Sequence, residues 1–533
     1  MSIVAGPLAH PAGRWGLALA LLTLHLAVAL GAASGLARDD LETVFFAQGW
    51  AWGYDPEQPP LYNWLTQALT DLVGPSLGAA VGLRWAIIAA GLVALFDAVR
   101  RMAGGDRALA AGAVAGAAGT ALFGYEGALH FTHTTLLISA TAAVLWAIAR
   151  IAERPTSARY LALGAALAVA CLSKYTFAVF GLALVAAALT DPLLRARVLD
   201  RRVLWAALPS LPLLPGHLWW RMGQDMVLSD RVASITSQGR EVPLPLWERL
   251  PGLATDVIVD PVMGMAPPLV LIALLVGVAP RARASRGATP ETGTPRWPRV
   301  LLVFVLASMA LTLAVVLATG GHRLRYHYMM PAALVLPAAA LLGARAWTVS
   351  LAPWRARALG WSLAGLAVLA AGGVAADRLI REPVSCGRCL SLLPVEAAAA
   401  RVRAAGFDGR GTIIAASLDW GANLRRAFPD ARLLARSFPD WRPPADDPGD
   451  GACLILLSRA EAEALATGAG LDGAALAEAV APLVDGAPDA LPLPLARARV
   501  ADLPLTRAPL SGGARRTVPF GFLLVPKDRG TCR

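Results

Sequence analysis

Long apolar runs separated by short polar loops recur along roughly the first two thirds of the chain. Several runs reach the roughly 20 apolar residues that an α-helix needs to cross a bilayer. The pattern predicts eleven spans, at residues 16–35, 78–98, 108–124, 133–150, 160–174, 175–190, 203–220, 263–280, 300–319, 328–347 and 358–376. The sequence therefore predicts a polytopic α-helical membrane protein.

Every second loop between these spans carries arginine residues. The clusters lie near residues 100–107, 150–159, 195–202, 281–299 and 345–357. Because positively charged loops remain in the cytoplasm, they predict a multi-pass protein of the inner (plasma) membrane with a cytoplasmic amino terminus. Segments 36–77, 221–262 and 377–533 are then expected on the extracytoplasmic, or periplasmic, side.

Residues 377–533 follow a different pattern. β-like runs at 411–416 and 452–458 alternate with helix-like segments at 420–428 and 459–468. This alternation predicts a small α/β domain. The expected organisation is a transmembrane core at 1–376, with outer loops 36–77 and 221–262, followed by an extracytoplasmic α/β domain at 377–533.

Four of the five cysteines lie in this tail and are disulfide candidates: Cys386, Cys389, Cys453 and Cys532. An even number of cysteines in an oxidising compartment is typical of disulfides. The Cys386-Gly-Arg-Cys389 motif is compatible with a redox pair, a metal half-site or a local bridge. A local bridge is favoured, because no second CxxC motif completes a zinc site. Cys171 lies inside a span and is expected to be a small core residue.

Composition supports a membrane protein and argues against a nucleic-acid partner. Of the 533 residues, 56% are hydrophobic, and the mean hydropathy is +0.55. The net charge is +11, but the 48 basic residues include only two lysines, Lys174 and Lys527. Most other basic residues are arginines in loops between spans, where they set orientation rather than bind a polyanion.

Two acids, Asp39 and Asp40, follow the first span directly. Aromatic residues then recur at four-residue spacing from Phe45 to Tyr54, which predicts an aromatic face lying in the lipid headgroup layer. A Pro-Pro pair at 59–60 ends this segment and starts a new helix. We expect the acids to be fixed at the water–lipid boundary.

Cationic residues at two other predicted outer positions suit a lipid phosphate. Lys174, beside Tyr175, lies at the outer end of a span, where an ionisable residue is a functional candidate. The alternative is a lysine that extends its charge to the interface. Arg323 and Arg325 lie in a short outer turn, and guanidinium groups match phosphate oxygens.

Polar residues of two further outer segments are candidates for substrate contact. Tyr125, Glu126, His130 and His133 lie within 124–137, where spacings of three and four predict one helical face. A divalent metal at Glu126, His130 and His133 is possible by residue type, but a polar wall against the substrate is favoured. His327 is the corresponding candidate in the turn at 320–331.

These segments together resemble the bacterial branch of glycosyltransferase family 39, in the GT-C superfamily that includes protein O-mannosyltransferases and the lipid A aminoarabinose transferase. The acidic pair, QPPLYNWL, LSKYTF and HRLRYHYMMPAALVLP carry the resemblance, which covers roughly residues 14–350. It implies catalytic roles for Asp39 and Asp40 and substrate contacts from Gln58 and Tyr62. The usual Asp-Glu pair is Asp-Asp here.

The resemblance implies inverting transfer of a hexosyl or pentosyl group from a polyprenyl-phosphate donor to an envelope lipid, glycan or protein, without a cofactor. Asp39 would be the base, and cations would stabilise the departing phosphate. The alternative is a transporter or a flippase for lipid-linked sugars. A transporter predicts internal repeats with helices broken at corresponding places, and no such symmetry is visible. A third hypothesis is a sensor or assembly protein that acts through its outer tail.

Overall fold

The computed structural model describes residues 2–224, 236, 244–277, 293–347, 351–387, 389–443, 452–483, 493, 495–506 and 516–525, without the side chains of 128 and 130. The chain divides into two compact units. Unit 1 comprises Met1–His25, Pro56–Leu61 and Trp85–Val374. Unit 2 comprises Leu26–Asp55, Tyr62–Arg84 and Ala375–Arg533.

Within the described residues, six helices are long and apolar enough to cross a membrane: Pro11–Ala32, Leu77–Met102, His133–Glu153, Trp297–Ala318, Tyr326–Trp347 and Pro353–Ser385. A bent pair, Leu246–Gly264 and Ala266–Val276, meets the same criteria together and turns by 58°. Shorter apolar helices occupy three more expected spans, at Arg107–Ala118, Ser157–Cys171 and Phe177–Leu189. The expectation of a polytopic α-helical membrane fold is therefore confirmed, although Cys171 is exposed rather than in the core.

The expected span at 203–220 is not one helix. A 3₁₀ segment, Arg201–Ser210, is followed by a separate helix, Leu214–Met222. Pro209, Pro212 and Pro215 fall in this stretch. Because proline lacks a backbone donor and clashes with the preceding turn, a continuous α-helix is unfavourable here. The apolar composition of the segment conceals this break.

The arginine-rich loops of unit 1 meet one another. Arg101 Nη1 lies 2.5 Å from Glu153 Oε2, which joins the loops that follow two different spans. The amide of Ala5 donates to the carbonyl of Ala356 at 3.0 Å, so the amino-terminal segment packs against another of these loops. Arg345 Nη1 donates to the carbonyl of Ala103 at 2.6 Å. The amino-terminal segment, Arg345 and the arginine clusters near 100–107 and 150–159 therefore lie at the same end of unit 1.

The remaining helical segments are short. Those preceding residue 200 are Gly6–Leu8, Asp39–Phe46, Leu61–Val73, Ala121–Glu126, Gly127–His130 and Pro192–Val198. The first helix of the bent pair consists of Leu246–Ala254, Thr255–Val259 and Asp260–Gly264. The span Tyr326–Trp347 consists of Tyr326–Met329, Met330–Ala333 and Leu336–Trp347. The last span begins as Pro353–Ala376, and the helices after it are Asp377–Arg381, Glu382–Ser385, Leu390–Leu392, Val395–Ala404, Leu418–Ala427, Arg459–Ala466, Gly473–Val480, Ala481–Leu483 and Leu495–Arg497.

Unit 2 contains a five-stranded sheet in the order β2-β1-β3-β5-β4. The strands are β1 Gly411–Ala415, β2 Arg432–Ala435, β3 Ala452–Leu456, β4 Arg499–Pro504 and β5 Thr517–Val525. β1 pairs in parallel with β2 and β3, whereas β5 is antiparallel to β3 and β4. All of β1 is buried, as expected for a central parallel strand covered on both faces. The small sheet domain predicted for the carboxyl-terminal tail is confirmed.

The aromatic segment after the first span belongs to the core of unit 2. Phe45 and Phe46 are fully buried, and their ring centres lie 4.9–5.4 Å from those of Phe438 and Trp441. The expectation that this aromatic face lies in the headgroup layer is therefore wrong for the two phenylalanines. Four-residue apolar spacing describes a helix with one apolar face, and a protein core covers that face as well as lipid does. Trp50, in contrast, is 57% exposed.

Disulfides occur in unit 2. Cys386 and Cys389 are joined by a local bridge across three positions of the sequence. Cys453, in β3, is also disulfide-bonded. The fourth candidate, Cys532, lies outside the described residues.

We expect Ser458→Ala to destabilise the start of the helix Arg459–Ala466. The Ser458 hydroxyl accepts from the amide of Glu461 at 3.2 Å and completes a capping box with that residue. Loss of such an N-cap costs about 1 kcal/mol, so amides of Arg459–Ala466 should exchange several-fold faster. Hydrogen exchange of the full-length protein in detergent measures this effect. Unchanged exchange in this helix would contradict the capping role.

Candidate active site

The acids predicted to act in catalysis open a short helix. This acid helix, Asp39–Phe46, carries Asp39, Asp40 and Glu42 in its first turn, where carboxylates complement the helix dipole. Arg38 precedes it with a backbone φ of 53°, a conformation that residues other than glycine rarely adopt. Such strained residues persist where the surrounding structure fixes them, and they cluster at functional sites.

The two acids have different environments. Asp40 forms an ion pair with Arg84, and the two residues are 7% and 5% exposed. Asp39 is half-buried. The geometry therefore distinguishes an enclosed acid, Asp40, which binds a guanidinium, from a less enclosed acid, Asp39, at the start of the same helix.

Tyr62 joins the Asp40–Arg84 pair. It is fully buried and hydrogen-bonds Arg84. Burial raises the pKa of the Tyr62 hydroxyl, Arg84 opposes this shift, and the two aspartates add to it. Tyr62 therefore remains neutral at physiological pH. Its predicted role was substrate contact, whereas the structure places it against the charges of the pair.

A second polar cluster, in unit 1, surrounds Lys174. The lysine lies in the turn between Ser157–Cys171 and Phe177–Leu189. Its Nζ lies 2.9 Å from Thr134 Oγ1 and 4.5 Å from the ring centre of Tyr328. A hydroxyl oxygen and an aromatic face both stabilise an ammonium group in a site of low dielectric.

Two histidines border this cluster. His133 is buried, and its Nδ1 lies 3.3 Å from the carbonyl of Ser173, next to Lys174. His327 stacks on Tyr328, with ring centres 4.5 Å apart. This cluster thus joins three widely separated segments of the chain, that of Lys174 included, and all three contain predicted site residues.

The predicted common helical face at 124–137 does not form. Glu126 ends the π-helical segment Ala121–Glu126, and Gly127–His130 follows. The backbone is then extended at Phe131, and a new helix begins at His133. Tyr125 and Glu126 are half-buried, whereas the side chain of His130 lies outside the described part of the chain.

Residues 56–61 approach the lysine turn from another side. The amide of Leu61 donates to the carbonyl of Leu172 at 3.2 Å. Gln58, which is half-buried, belongs to this segment. The QPPL motif is therefore attached to the turn that contains Lys174.

His217 is a site candidate that the sequence patterns did not reveal. Its Nε2 lies 3.0 Å from the hydroxyl of Tyr175, and the ring is fully enclosed. The ring stacks on both Tyr175 and Trp220. The available signal was a histidine within a proline-broken apolar segment, where an ionisable side chain is unusual.

Arg323 is neutralised by an acid that the sequence analysis did not identify. Its Nε and Nη2 lie 2.9 and 3.2 Å from the carboxylate oxygens of Asp256, which also accepts from the amide of Leu324 at 2.7 Å. The bond to Asp256 raises the pKa of Arg323. Arg323 remains 50% exposed on its side chain, and Arg325 is exposed. The turn at 320–327 is therefore bound to the bent helix pair by charge.

Metal ligation and cavity size do not identify the site. No group of three histidine, cysteine or acidic residues with metal-binding geometry occurs among the residues that the structure describes. A cavity of about 540 Å³ in unit 1 extends from Arg14 to His25 and Trp85, but apolar side chains form nearly all of its wall. Such a wall offers a sugar few hydrogen bonds. The candidate site is therefore defined by its charged side chains.

Comparison with known proteins relates these features to a family. The family described as dolichyl-phosphate-mannose-protein mannosyltransferase matches residues 57–220. The lipopolysaccharide core galacturonosyltransferase RgtA of Rhizobium johnstonii is 29% identical over 60% of this chain and 62% of its own length, so the match spans just under two thirds of that relative. RgtB of the same organism, also a lipopolysaccharide core galacturonosyltransferase, is 25% identical over 85% of this chain and 88% of its own.

Solved structures show the same fold. ArnT from Cupriavidus metallidurans bound to undecaprenyl phosphate superposes with a TM-score of 0.55 at 14% identity, and its apo state does so with 0.58 at 13%. Both matches cover 96% of this chain and 98% of the other. The fold is therefore ArnT-like. Together the comparisons confirm the resemblance to this group of glycosyltransferases that the sequence predicts.

We expect Asp40→Asn and Arg84→Gln each to lower the apparent free energy of unfolding by about 3–5 kcal/mol, because each leaves a buried partner uncompensated. The double variant should lose less than the sum, since neither charge is then stranded. Thermal unfolding in detergent measures all three. Arg459→Gln, which breaks the exposed pair with Glu463, is the control and should change stability by less than about 1 kcal/mol. If the single variants lose no more stability than this control, the result would contradict a buried ion pair.

Proposed function

We propose that this protein transfers a sugar from a polyprenyl-phosphate donor to an envelope acceptor on the extracytoplasmic face of the membrane, with inversion at the anomeric carbon. The observation that carries the proposal is the separation of the two acids, with Asp40 in a buried ion pair and Asp39 half-buried at the start of the same helix. Because Asp40 is enclosed and bound by Arg84, we assign the role of base to Asp39 alone rather than to a pair of flanking carboxyl groups. A glycosyl phosphate, whose leaving group needs no protonation, requires only one base.

The proposed reaction is a single displacement. The acceptor hydroxyl oxygen forms a bond to the anomeric carbon as the bond from that carbon to the phosphate oxygen breaks. Its electron pair leaves with the polyprenyl phosphate, and Asp39 takes the proton of the hydroxyl. Retaining glycosidases instead use a second carboxyl group about 5–5.5 Å away as a nucleophile.

The donor phosphate is assigned to the cluster around Lys174. Its ammonium charge stabilises the developing charge of the phosphate. Tyr175, the next residue, carries a hydroxyl that lies 3.0 Å from His217 Nε2. Arg325 is an exposed second cation. Arg323 has a smaller assigned role than the sequence suggested, because Asp256 already binds both of the nitrogen atoms it offers on one edge.

The relatives suggest the acceptor and the sugar. Both RgtA and RgtB are lipopolysaccharide core galacturonosyltransferases, and the match to RgtB covers most of both chains. We therefore propose the lipopolysaccharide core as the acceptor and galacturonic acid as the transferred sugar. Transfer assays with polyprenyl phosphates that carry galacturonic acid, mannose or aminoarabinose would rank these donors directly.

The orientation of the protein in the membrane is also a proposal. The amino-terminal segment shares one end of unit 1 with the arginine clusters, and such clusters remain in the cytoplasm. The amino terminus would then be cytoplasmic and the α/β domain extracytoplasmic. Cysteines introduced at exposed sites such as Trp50 would test this with a thiol reagent that does not cross membranes, and protection of position 50 in intact cells would contradict it.

We expect Asp39→Asn to lower kcat by about 10²- to 10⁴-fold, the usual contribution of a general base. Binding of undecaprenyl phosphate should be unchanged, because the amide keeps the size of the carboxyl group. Glu42→Gln is the matched control, since it removes another acid from the first turn of the same helix. Transfer by Asp39→Asn at the rate of this control would remove Asp39 from the mechanism. A flippase without transferase chemistry would likewise be unaffected by Asp39→Asn.

We expect Lys174→Met to weaken undecaprenyl phosphate binding by about 10- to 100-fold, the equivalent of a charge-assisted hydrogen bond of about 1.5–3 kcal/mol. Methionine keeps the apolar stem of lysine and removes only the charge. Lys174→Arg, which keeps the charge, should lose much less affinity for undecaprenyl phosphate. Equal affinity of the methionine variant and wild type in equilibrium binding would favour the alternative of a lysine that only extends to the interface.

A further inference from the structure

The backbone on the amino-terminal side of the acid helix is held by one buried asparagine. Asn423, on Leu418–Ala427, is fully buried. Its Oδ1 accepts from the amide of Leu36 at 2.7 Å, and its Nδ2 donates to the carbonyl of Leu36 at 3.2 Å. A side-chain amide that binds both backbone groups of one residue fixes the position of that residue and its orientation. Leu36 lies three positions before Asp39.

The carboxyl-terminal side of the acid helix is held in the same way. Gln48 Oε1 accepts from the amide of Leu433 at 2.7 Å, and its Nε2 donates to the carbonyl of Leu433 at 3.0 Å. Leu433 belongs to β2, which lies at one edge of the sheet. The Gln48 side chain thus uses backbone groups that an edge strand would otherwise leave unpaired.

Two arginines add bonds along the same interface. Arg425 donates to the carbonyl of Val44, in the last turn of the acid helix, at 3.2 Å. Burial lowers the pKa of Arg425 to about 10, which still leaves the side chain charged at neutral pH. A cation at this end complements the helix dipole. Arg426 donates to the carbonyl of Ser34 at 3.1 Å.

Close packing also fixes residues 34–36, the segment that leads into the acid helix. The amides of Ser34 and Gly35 both donate to the carbonyl of Ser391, at 2.8 and 3.1 Å. A Cβ atom at Gly35 would lie 2.7 Å from the carbonyl oxygen of Leu390, so only glycine fits this approach. Residues 34–36 are therefore bound from two directions by the carboxyl-terminal part of unit 2.

We propose that the α/β domain positions the catalytic base, with Asn423 and Gln48 as the positioning residues. This inference rests on the proposed role of Asp39. The acid helix has only eight residues, and helices of that length are not stable by themselves in water. Its position is therefore set by the contacts at its two ends, both of which come from the α/β domain. A displacement of about 1 Å at a reacting group can cost about 10²-fold in rate.

The test uses full-length Asn423→Ala and Gln48→Ala, with Ser458→Ala as the matched control. The control weakens the same domain at a capping box that does not touch residues 34–48. Turnover is measured with polyprenyl-phosphate-linked galacturonic acid and is normalised to the amount of undecaprenyl phosphate that each preparation binds. This normalisation removes the effect of misfolded molecules.

We expect each positioning variant to lower normalised kcat by about 10- to 100-fold with the KM for the donor within about twofold. Gln48→Glu, which replaces the donor to the carbonyls of Leu433 and Phe45 with an anionic oxygen, should be at least as slow as Gln48→Ala. The control should match wild type. An equal fall of normalised kcat in Ser458→Ala, or normalised kcat at the wild-type level in both positioning variants, would overturn the proposal.

Hydrogen exchange separates this inference from the proposed function. Amides of Asp39–Phe46 should exchange at least several-fold faster in both positioning variants and at the wild-type rate in Ser458→Ala. This measurement needs no substrate, so it is informative even if the donor or the role of Asp39 has been assigned wrongly. Unaltered protection of the acid helix in both variants would overturn the inference while leaving the transferase assignment intact. If Asn423→Ala does not fold, the Gln48→Ala result decides.

Discussion

The buried pair of Asp40 and Arg84 is the interaction on which the proposed chemistry depends. Burying either charge alone would cost several kcal/mol, so each holds the other in place. Consecutive residues of an α-helix project about 100° apart. Once Asp40 is directed into the pair, Asp39 must point to a different side of the helix, where it is half-buried. The ion pair therefore determines the direction of the neighbouring carboxylate.

Much of the fold was predictable from the sequence because its signals are local. Apolar runs of span length and alternating β-like and helix-like segments correspond to elements such as Leu77–Met102 and β1. Segment 203–220 was misassigned because hydropathy ignores the backbone donors that its prolines remove. The burial of Phe45 and Phe46 was also missed, since periodicity shows that one face is covered but not what covers it.

The candidate site was less predictable, because its contacts join distant parts of the chain. The sequence singled out Lys174 as an unusual intramembrane residue, but not Thr134 and Tyr328 as its neighbours. Arg84 lay in an apolar run and was overlooked, although a lone arginine in a span is itself a functional signal. Asn423 had no signal of its own, since its role depends on the backbone of Leu36, 387 positions earlier.

The paired acids distinguish between two kinds of sugar chemistry. A glycosidase-type mechanism needs two carboxyl groups that both reach the glycosidic bond, one of them to protonate a poor leaving group. Here Asp40 is bound by Arg84 and enclosed, so a two-carboxylate reaction would leave the guanidinium uncompensated inside the protein. A phosphate leaving group removes the need for an acid and replaces it with a need for cations. The proposed single base, Asp39, with separate cationic side chains would suit a phosphate-linked donor better than an ordinary glycoside.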